Sequence, residues 1–367
     1  MKIICEKDEL VKGSQITQAV VPPRSTLPIL SNFLLEAEGT QLKLSSTDLE
    51  VGVTCFIKGE VIKEGSITIP AKRFGDIIRE LPEKQPIEIK SDDTNQVTIR
   101  CGKAHFTLMG LSKADYPVLP VFPQENFTLN RDTLKTMFRK AAFAVSTDET
   151  RYVLNGVYMM VEKGSIKLVS TDGRRLAFIS RDASDKKIQR SAIIPTKAVN
   201  ELQRILNSDE KGDEVTVGIT ENQIAFKAGT ITIISRLIEG SFPNYDQVIP
   251  KKHDVAVKLN VKETLQAVRQ MSTLAIDKAS AIRFTFAKNT LRISASAQGL
   301  GSGEAEIDVE YTGQLLEIAF NPQFLIDILK NSDDDVVVME LTGSLNPALV
   351  RPMKDANYLC VVMPMRL

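Results

Sequence analysis

The stretch Ile194-Pro-Thr-Lys-Ala-Val-Asn-Glu-Leu-Gln-Arg-Ile-Leu206 decides the fold, because the chain uses the same construction three times. It reads as an extended Ile-Pro entry into a helix. Proline suits a helix start, where its missing N–H lies among the donors that no helical carbonyl reaches. Val199, Leu202, Ile205 and Leu206 form an apolar stripe, and Lys197, Glu201 and Arg204 a charged one. The construction recurs at Ile69-Pro-Ala-Lys-Arg-Phe-Gly-Asp-Ile-Ile-Arg-Glu-Leu81 and at Phe320-Asn-Pro-Gln-Phe-Leu-Ile-Asp-Ile-Leu-Lys330. Successive copies stand about 125 residues apart, the size of an ordinary domain.

The repeat extends outward from this helix. Thr26–Ala37 matches Arg151–Val161, with Asn32 and Asn155 in register. Leu42-Lys-Leu-Ser-Ser-Thr-Asp48 matches Ile166-Lys-Leu-Val-Ser-Thr-Asp172, and Leu291-Arg-Ile-Ser-Ala-Ser296 is a third version. The units close on Asp115-Tyr-Pro-Val-Leu-Pro120, on Ser241-Phe-Pro-Asn-Tyr245 and on a truncated 358–367. Independent markers at one spacing define a triplicated chain. We place the repeats at 1–124, 125–251 and 252–367, with boundaries where Pro, Lys and polar residues cluster.

Apolar–polar alternation marks strands at Gln41–Ser45, Ile87–Lys90, Val97–Arg100, Ile166–Val169, Val215–Ile219 and Thr230–Ile234. Each unit adds an early helix, at about Lys7–Val20, Arg131–Val145 and Lys262–Leu274, besides the opening one. Sheet-rich units with two helices apiece predict α+β domains whose helices cover one sheet face.

Composition bounds the function. Of 367 residues, 43% are hydrophobic and 25% charged, as in a globular, cytoplasmic protein, and no apolar run reaches membrane-spanning length. The four scattered cysteines read as reduced thiols, and two distant histidines, His105 and His253, do not make a metal centre. No cofactor motif occurs: there is no phosphate-binding loop, dinucleotide fingerprint or H-E-x-x-H. Gly299-Leu-Gly-Ser-Gly303 reads as a flexible turn, and Ser170-Thr-Asp-Gly173 as a turn between strands rather than a catalytic group.

The 46 basic and 46 acidic residues balance, which leaves room for a local basic surface. Arg131, Lys135 and Arg139 recur at i, i+4, i+8 with Lys140 beside them, and Lys72 with Arg79, like Lys197 with Arg204, recurs at i, i+7. An isolated helix of this kind is a solvated face with i,i+4 pairs through Asp76 or Glu201. Repetition gathers such faces onto one surface suited to phosphates, with Arg73 beside Lys72 joining it. Glu304, Glu306, Asp308 and Glu310 alternate with apolar residues as an acidic strand, whereas Arg100, Lys103 and His105 lie near Phe106 and Leu108. Unlike ends suit a heterologous, ring-closing contact. The apolar tail Val361-Val-Met-Pro-Met-Arg-Leu367 completes the last repeat and could line a peptide groove.

At this point the chain resembles the bacterial DNA polymerase III beta subunits, the replicative sliding clamps, over essentially its whole length. The specific markers are Arg24-Ser-Thr-Leu-Pro-Ile-Leu30, Arg151-Tyr-Val-Leu-Asn-Gly156, Ser170-Thr-Asp-Gly-Arg-Arg-Leu176, Phe242-Pro-Asn-Tyr245 and Val362-Met-Pro-Met-Arg-Leu367. The resemblance implies a non-catalytic, head-to-tail homodimer: a six-domain ring, sheets outside and helices inside, encircling double-stranded DNA. It implies DNA contact at Arg24, Lys197, Arg151 and Tyr152. It implies a groove for the replicative polymerase, the clamp loader and other motif-bearing proteins at Leu154, Thr171, Gly173, Arg174, Arg175, Leu176, Pro243, Val248, Asn321, Phe324, Met363, Pro364, Met365 and Arg366. The implied dimer edge sets Phe106 and Leu108 against Thr273 and Leu274, and Lys103 against Glu304, Glu306 and Asp308. Arg174 stands where many relatives carry His, and Gln247 where some carry Arg, which shifts the expected peptide preference. The alternatives are a triplicated α+β scaffold that never touches DNA and an enzyme with a site between repeats.

Overall fold

The structure, a computed structural model, describes residues 1–183, 188–208, 212–275, 281–297 and 299–366. The first repeat contributes β1 (Lys2–Cys5), α1 (Lys7–Gln18), β2 (Asn32–Glu38), β3 (Gln41–Thr47), β4 (Val51–Lys58), β5 (Glu60–Lys63), β6 (Gly65–Pro70), α2 (Ala71–Glu80), β7 (Ile87–Ser91), β8 (Gln96–Cys101) and β9 (Ala104–Met109). The second contributes β10 (Asn126–Asn130), α3 (Arg131–Ala142), β11 (Gly156–Glu162), β12 (Ser165–Thr171), β13 (Arg175–Asp182), β14 (Arg190–Pro195), α4 (Thr196–Leu206), β15 (Glu214–Ile219), β16 (Gln223–Ala228) and β17 (Ile231–Arg236). The third contributes β18 (Val255–Asn260), α5 (Val261–Ser272), β19 (Ile282–Ala287), β20 (Thr290–Ala297), β21 (Gly301–Asp308), β22 (Leu316–Phe320), α6 (Pro322–Lys330), β23 (Val336–Leu341), β24 (Ala348–Pro352) and β25 (Tyr358–Val362). Apart from β5, the three orders coincide.

Strand pairing cuts across the repeats. One eight-stranded sheet runs β10-β15-β16-β17-β4-β3-β2-β6, and another runs β14-β11-β12-β13-β25-β24-β23-β18. Each takes half its strands from one repeat and half from the next, joined by the antiparallel pairs β4–β17 and β13–β25. The leftover halves are smaller sheets, β5-β1-β7-β8-β9 and β21-β20-β19-β22, ending on β9 and β21. The chain accordingly forms two compact units: 1–135 with 197–237, and 136–196 with 238–367. No described helix is long and apolar enough to cross a membrane.

In the first unit α1 packs on α2 and on β3 and β4, over Leu10, Phe33, Leu35, Leu42, Leu44, Phe74 and Ile78, none more than marginally exposed. In the second, α5 packs on α6, β20 and β21 near Phe284, Phe286 and Phe320, whose rings lie 5.6–6.3 Å apart. Fully burying such a side chain contributes roughly 1.5–3 kcal/mol, so these periodic residues hold helix to sheet. All four cysteines are free and buried, and burial pushes the Cys5 and Cys360 thiols up to about 12.

Several sequence expectations are corrected. The early helices end sooner than expected, at Gln18, Ala142 and Ser272. Their last turns tighten to i→i−3 bonds, such as Val20 N–H to Thr17 O and Leu274 N–H to Met271 O. The repeated prolines differ: Pro70 and Pro195 close terminal strands β6 and β14, where no ladder donor is missed, and only Pro322 lies inside its helix, behind the Asn321 cap. Gly301–Gly303 belong to β21 rather than to a turn.

Arg131 and Lys140 leave the expected basic face. Positions i, i+4, i+8 drift about 40° per step, so the row that starts at buried Arg131 reaches the surface only by Arg139, and Lys140, one residue on, points inward. Arg131 is 8% exposed and donates to Leu206 O (3.3 Å), Ile205 O (3.1 Å) and Ser208 O (2.7 Å), capping the end of α4. Lys7 does the same for α2, donating to Leu81 O at 2.6 Å. Lys140, 3% exposed, sits over the Tyr358 ring between Asp333 (3.0 Å) and Asp355 (3.1 Å). Burial alone would raise the Asp355 carboxyl. The hydrogen bonds from Arg181 and Lys140 outweigh it and hold the group below the usual carboxylate range. A depressed carboxylate stabilises the fold above its unfolded pKa of about 4 and loses that contribution as pH falls through the folded value. Urea unfolding should show stability falling below about pH 4, with a shallower acid limb in Asp355→Asn; parallel limbs would remove Asp355 from the account.

Candidate functional site

The turn between β12 and β13 builds the candidate groove. Thr171 Oγ1 donates to Arg175 O (2.6 Å) and accepts from Gly173 N (3.1 Å). Asp172 Oδ1 accepts from Arg174 N (2.8 Å) and Arg175 N (3.0 Å). Gly173 takes φ +84°, a left-handed value that glycine adopts at no steric cost. The Asp-Gly pair is therefore a side-chain-locked turn. Ser170 beside it is buried with its hydroxyl on Ala141 O, a structural contact.

Arg175 is the anchor. Its guanidinium donates to Asp172 Oδ2 (3.1 Å), Asp327 Oδ2 (2.6 Å) and Phe143 O (2.6 Å), and lies 4.7 Å from the Phe324 ring centroid. One planar fork thereby ties β13, the end of α3 and α6 together, which a lysine could not reproduce. Arg174, by contrast, is exposed. The tail docks alongside: Met363 N donates to Arg174 O (2.8 Å), and Met365 N to Ala319 O (2.8 Å). Leu176 joins a buried cluster with Val169, Leu349, Leu359 and Val361, floored by Tyr158, Phe178, Phe242 and Tyr245. Tyr158 stacks on Phe242 at 4.9 Å.

Within this unit the expected groove residues fall together. Thr171–Leu176 form one wall and Met363, Pro364, Met365 and Arg366 another; Asn321 caps α6 beneath Phe324. Leu154 is 8% exposed, and Pro243 and Val248 are exposed on the Phe242–Ile249 segment. Sequence reasoning missed Asp172, Asp327 and Phe143, which hold Arg175. It used Phe242 and Tyr245 as markers of the repeat and of the resemblance, not as groove residues, although their place in a closing motif signalled them.

The expected DNA-contact cations divide. Arg24, Lys72 and Arg73 are exposed and Lys135 is half-buried, and none forms an ion pair among the described residues. The others have partners. Arg79 pairs with Asp76 (2.7 Å), Arg139 with Asp333 (2.6 Å), Lys197 with Asp48, and Arg151 with Asp148 (3.8 Å) beside exposed Tyr152. Arg204 pairs with Glu201 (2.8 Å) and donates to Gln15 O and Ile16 O, capping α1.

Both open edges present side chains. On β9, Phe106 is 37% and Met109 62% exposed, while Leu108 is half-buried; Lys103 lies in the preceding turn. On β21, Glu304 and Glu306 face out, and Arg292 balances them, 2.8 Å from Glu306 and 3.8 Å from Glu304. Leu274 and exposed Thr273 follow α5, and a Cβ at Gly303 would come within 3.2 Å of Leu274 Cδ1. Among the described residues no group of His, Cys, Asp and Glu is arranged to hold a metal.

Arg175→Gln should lower unfolding stability by about 2–3 kcal/mol, since Asp327 keeps only Gln323 on its other oxygen and the Phe143 carbonyl loses its donor. An unchanged urea midpoint would show that the fork does not hold the groove.

Profiles of the N-terminal, central and C-terminal domains of the DNA polymerase III beta subunit match residues 1–120, 128–244 and 246–366. The beta sliding clamp of Chlamydia muridarum is 36% identical over all of this chain and 99% of its own length; that of Pseudomonas aeruginosa is 34% identical, with both chains covered in full. The crystal structure of the Bacillus subtilis DNA polymerase sliding clamp superposes with a TM-score of 0.96 at 30% identity, covering all of this chain and 99% of that one. A Pseudomonas aeruginosa clamp bound to griselimycin gives 0.95 at 34%, both chains covered in full. The chain belongs to the DNA polymerase III beta subunit family, the beta sliding clamps.

Proposed function

We propose that two copies join head to tail, β9 of each against β21 of the other, into a ring of six repeats that holds duplex DNA by topology. The carrying observation is that β9 and β21 terminate complementary half-sheets. In both observed junctions the fourth strand of a repeat's front half pairs with the last strand of the next repeat: β4 with β17, and β13 with β25. By the same rule β21 takes the remaining last strand, β9.

The internal register extends to residue level. Leu44, Leu168 and Ile293 are equivalent, and they pair within their sheets with Cys55, Ile179 and Ala305. Cys55 faces Ile231, the residue after the two-residue turn Gly229-Thr230, and the matching turn Gly102-Lys103 leads into Ala104. Ala104 therefore faces Ala305 across the proposed contact. Lys103 then faces Glu306, His105 faces Glu304, and Phe106 lands on Gly303 against Leu274. Opposite charges and an aromatic over glycine are favourable cross-strand pairs. The repeats 1–124, 125–251 and 252–367 are the units of this ring.

Inside it, Arg24, Lys72, Arg73, Lys135 and the partly paired Arg79, Arg139, Arg151, Lys197 and Arg204, with Tyr152, meet phosphates without reading bases. Replication proteins dock short linear motifs in the Arg174–Leu176 and Met363–Arg366 groove, and tethering keeps a polymerase at high effective concentration on its template.

Oxidised Ala104→Cys/Ala305→Cys protein should run as a covalent dimer, whereas Ala104→Cys/Asp308→Cys should not; the reverse outcome would overturn the register. The dimer should stay on nicked circular DNA and run off once the circle is cut, and equal retention on both would end the topological reading.

A further inference from the structure

We infer that the first repeat junction carries a second peptide groove, which takes a short extended segment with a large apolar side chain set between a basic and an acidic residue. The inference rests on the second junction being a peptide site. A cavity of about 280 Å³ opens between the β3–β4 turn, the Pro117–Pro120 segment and the end of β17.

Its frame repeats that of the second junction bond for bond. Thr47 Oγ1 donates to Val51 O (3.0 Å) and accepts from Leu49 N (3.0 Å), as Thr171 does with Arg175 and Gly173. Asp48 Oδ1 accepts from Glu50 N (3.0 Å) and Val51 N (2.7 Å), as Asp172 does from Arg174 and Arg175. Arg236 N donates to Glu50 O (2.9 Å), as Met363 N does to Arg174 O. The pairs Thr47–Gly52 and Gly52–Ile234 match Thr171–Leu176 and Leu176–Val361. Thus Glu50 stands for Arg174, Gly52 for Leu176 and Arg236 for Met363.

Those exchanges set the ligand. Gly52 in place of leucine lets Leu119 pack onto the strand, its Cδ2 3.4 Å from where a Cβ would stand, and Leu49, Val118, Leu119 and Ile234 give the cavity an apolar lining that suits an apolar side chain. Val118 at the rim is 96% exposed. The exposed side chains of Glu50 and Arg236 make no hydrogen bond or ion pair among the described residues, although their backbones are bonded. They offer an acid and a base to a ligand of opposite pattern. Leu49 is held at φ +79° and 46% exposed, and a bulky residue in the left-handed region is strain of the kind that gathers at binding sites.

The probe is a blocked hexapeptide, Gly-Lys-Leu-(benzoylphenylalanine)-Asp-Gly, photocrosslinked to the full-length protein and mapped by mass spectrometry. Labelling at 49–52 and 117–120 is expected, retained after deletion of 363–367 and reduced at least tenfold in Gly52→Leu and Val118→Asp. Exposed Val118 can change without disturbing the core, so loss in that variant is not misfolding. Glu50→Lys should shift preference towards the peptide with Lys and Asp exchanged. Labelling confined to 171–176 and 363–366 would overturn this inference and leave the second groove standing. Labelling at neither junction would overturn both.

Discussion

The fold depends on one kind of contact, the antiparallel pairing of the last strand of one repeat with the fourth strand of the preceding one. A repeat on its own would expose two rows of backbone donors and acceptors, and buried or solvated edges of that length invite non-specific pairing. Joining β4 to β17 and β13 to β25 removes four edges by making two continuous sheets. Three repeats in a line still leave one edge of each type. Their side chains set what those edges can accept. Two β21 strands would bring rows of Glu304 and Glu306 together, while two β9 strands would place Lys103 and its neighbours against one another. Only β9 against β21 would match charge, so the proposed contact is heterologous, and repetition of such a contact either closes or propagates. In the proposed ring the acidic residues on β21 would act both as attraction and as protection against self-pairing.

Much of the fold was legible because the signals were local and repeated: the Ile-Pro helix entry, the Leu-Lys-Leu strand and the Thr-Asp turn each announce one element. Which repeat's strand would pair with which was not legible, since alternation reports that Phe226 and Ile233 are buried but not the origin of the strand beside β17. The cations show the same limit. Arg131, Lys135 and Arg139 share a spacing, yet Arg131 caps α4 and Arg139 pairs with Asp333. A positive charge near a helix C-terminus is drawn to the orphan carbonyls whether or not a ligand exists. Sequence spacing places a side chain on a face; it does not reveal the helix end lying opposite.

Within the candidate site, legibility divided along backbone and side chain. The turn residues Thr171, Asp172 and Gly173 declare their geometry through well-known local hydrogen bonds. The residues that fix Arg175 come from three separated segments, and no periodicity connects Phe143, Asp172 and Asp327. The resemblance located Arg175 at the groove, but its saturated guanidinium makes it a former of the wall rather than a free charge. Arg174, one residue earlier in the turn that leads into β13, is exposed and forms no ion pair among the described residues. In the proposed groove its position would therefore be the sensitive one for peptide preference, more than its equally basic neighbour.

The two junctions together show how a triplicated fold diversifies without losing its frame. Threonine and aspartate fix the turn through their own side chains, so the next four positions can change while the backbone stays in place. At the second junction these are Gly173, Arg174, Arg175 and Leu176; at the first they are Leu49, Glu50, Val51 and Gly52. The valine at 51 lacks the tie that Arg175 makes to Asp172, Asp327 and Phe143, and the glycine at 52 lets Leu119 pack where Leu176 stands at the second junction. The positive φ that glycine accepts freely at one junction is imposed on leucine at the other, so the frame prevails over the preference of the residue placed in it. A shared hydrogen-bonded turn sets where a groove can form, and the side chains it carries decide whether the groove is rigid and basic or open and zwitterionic.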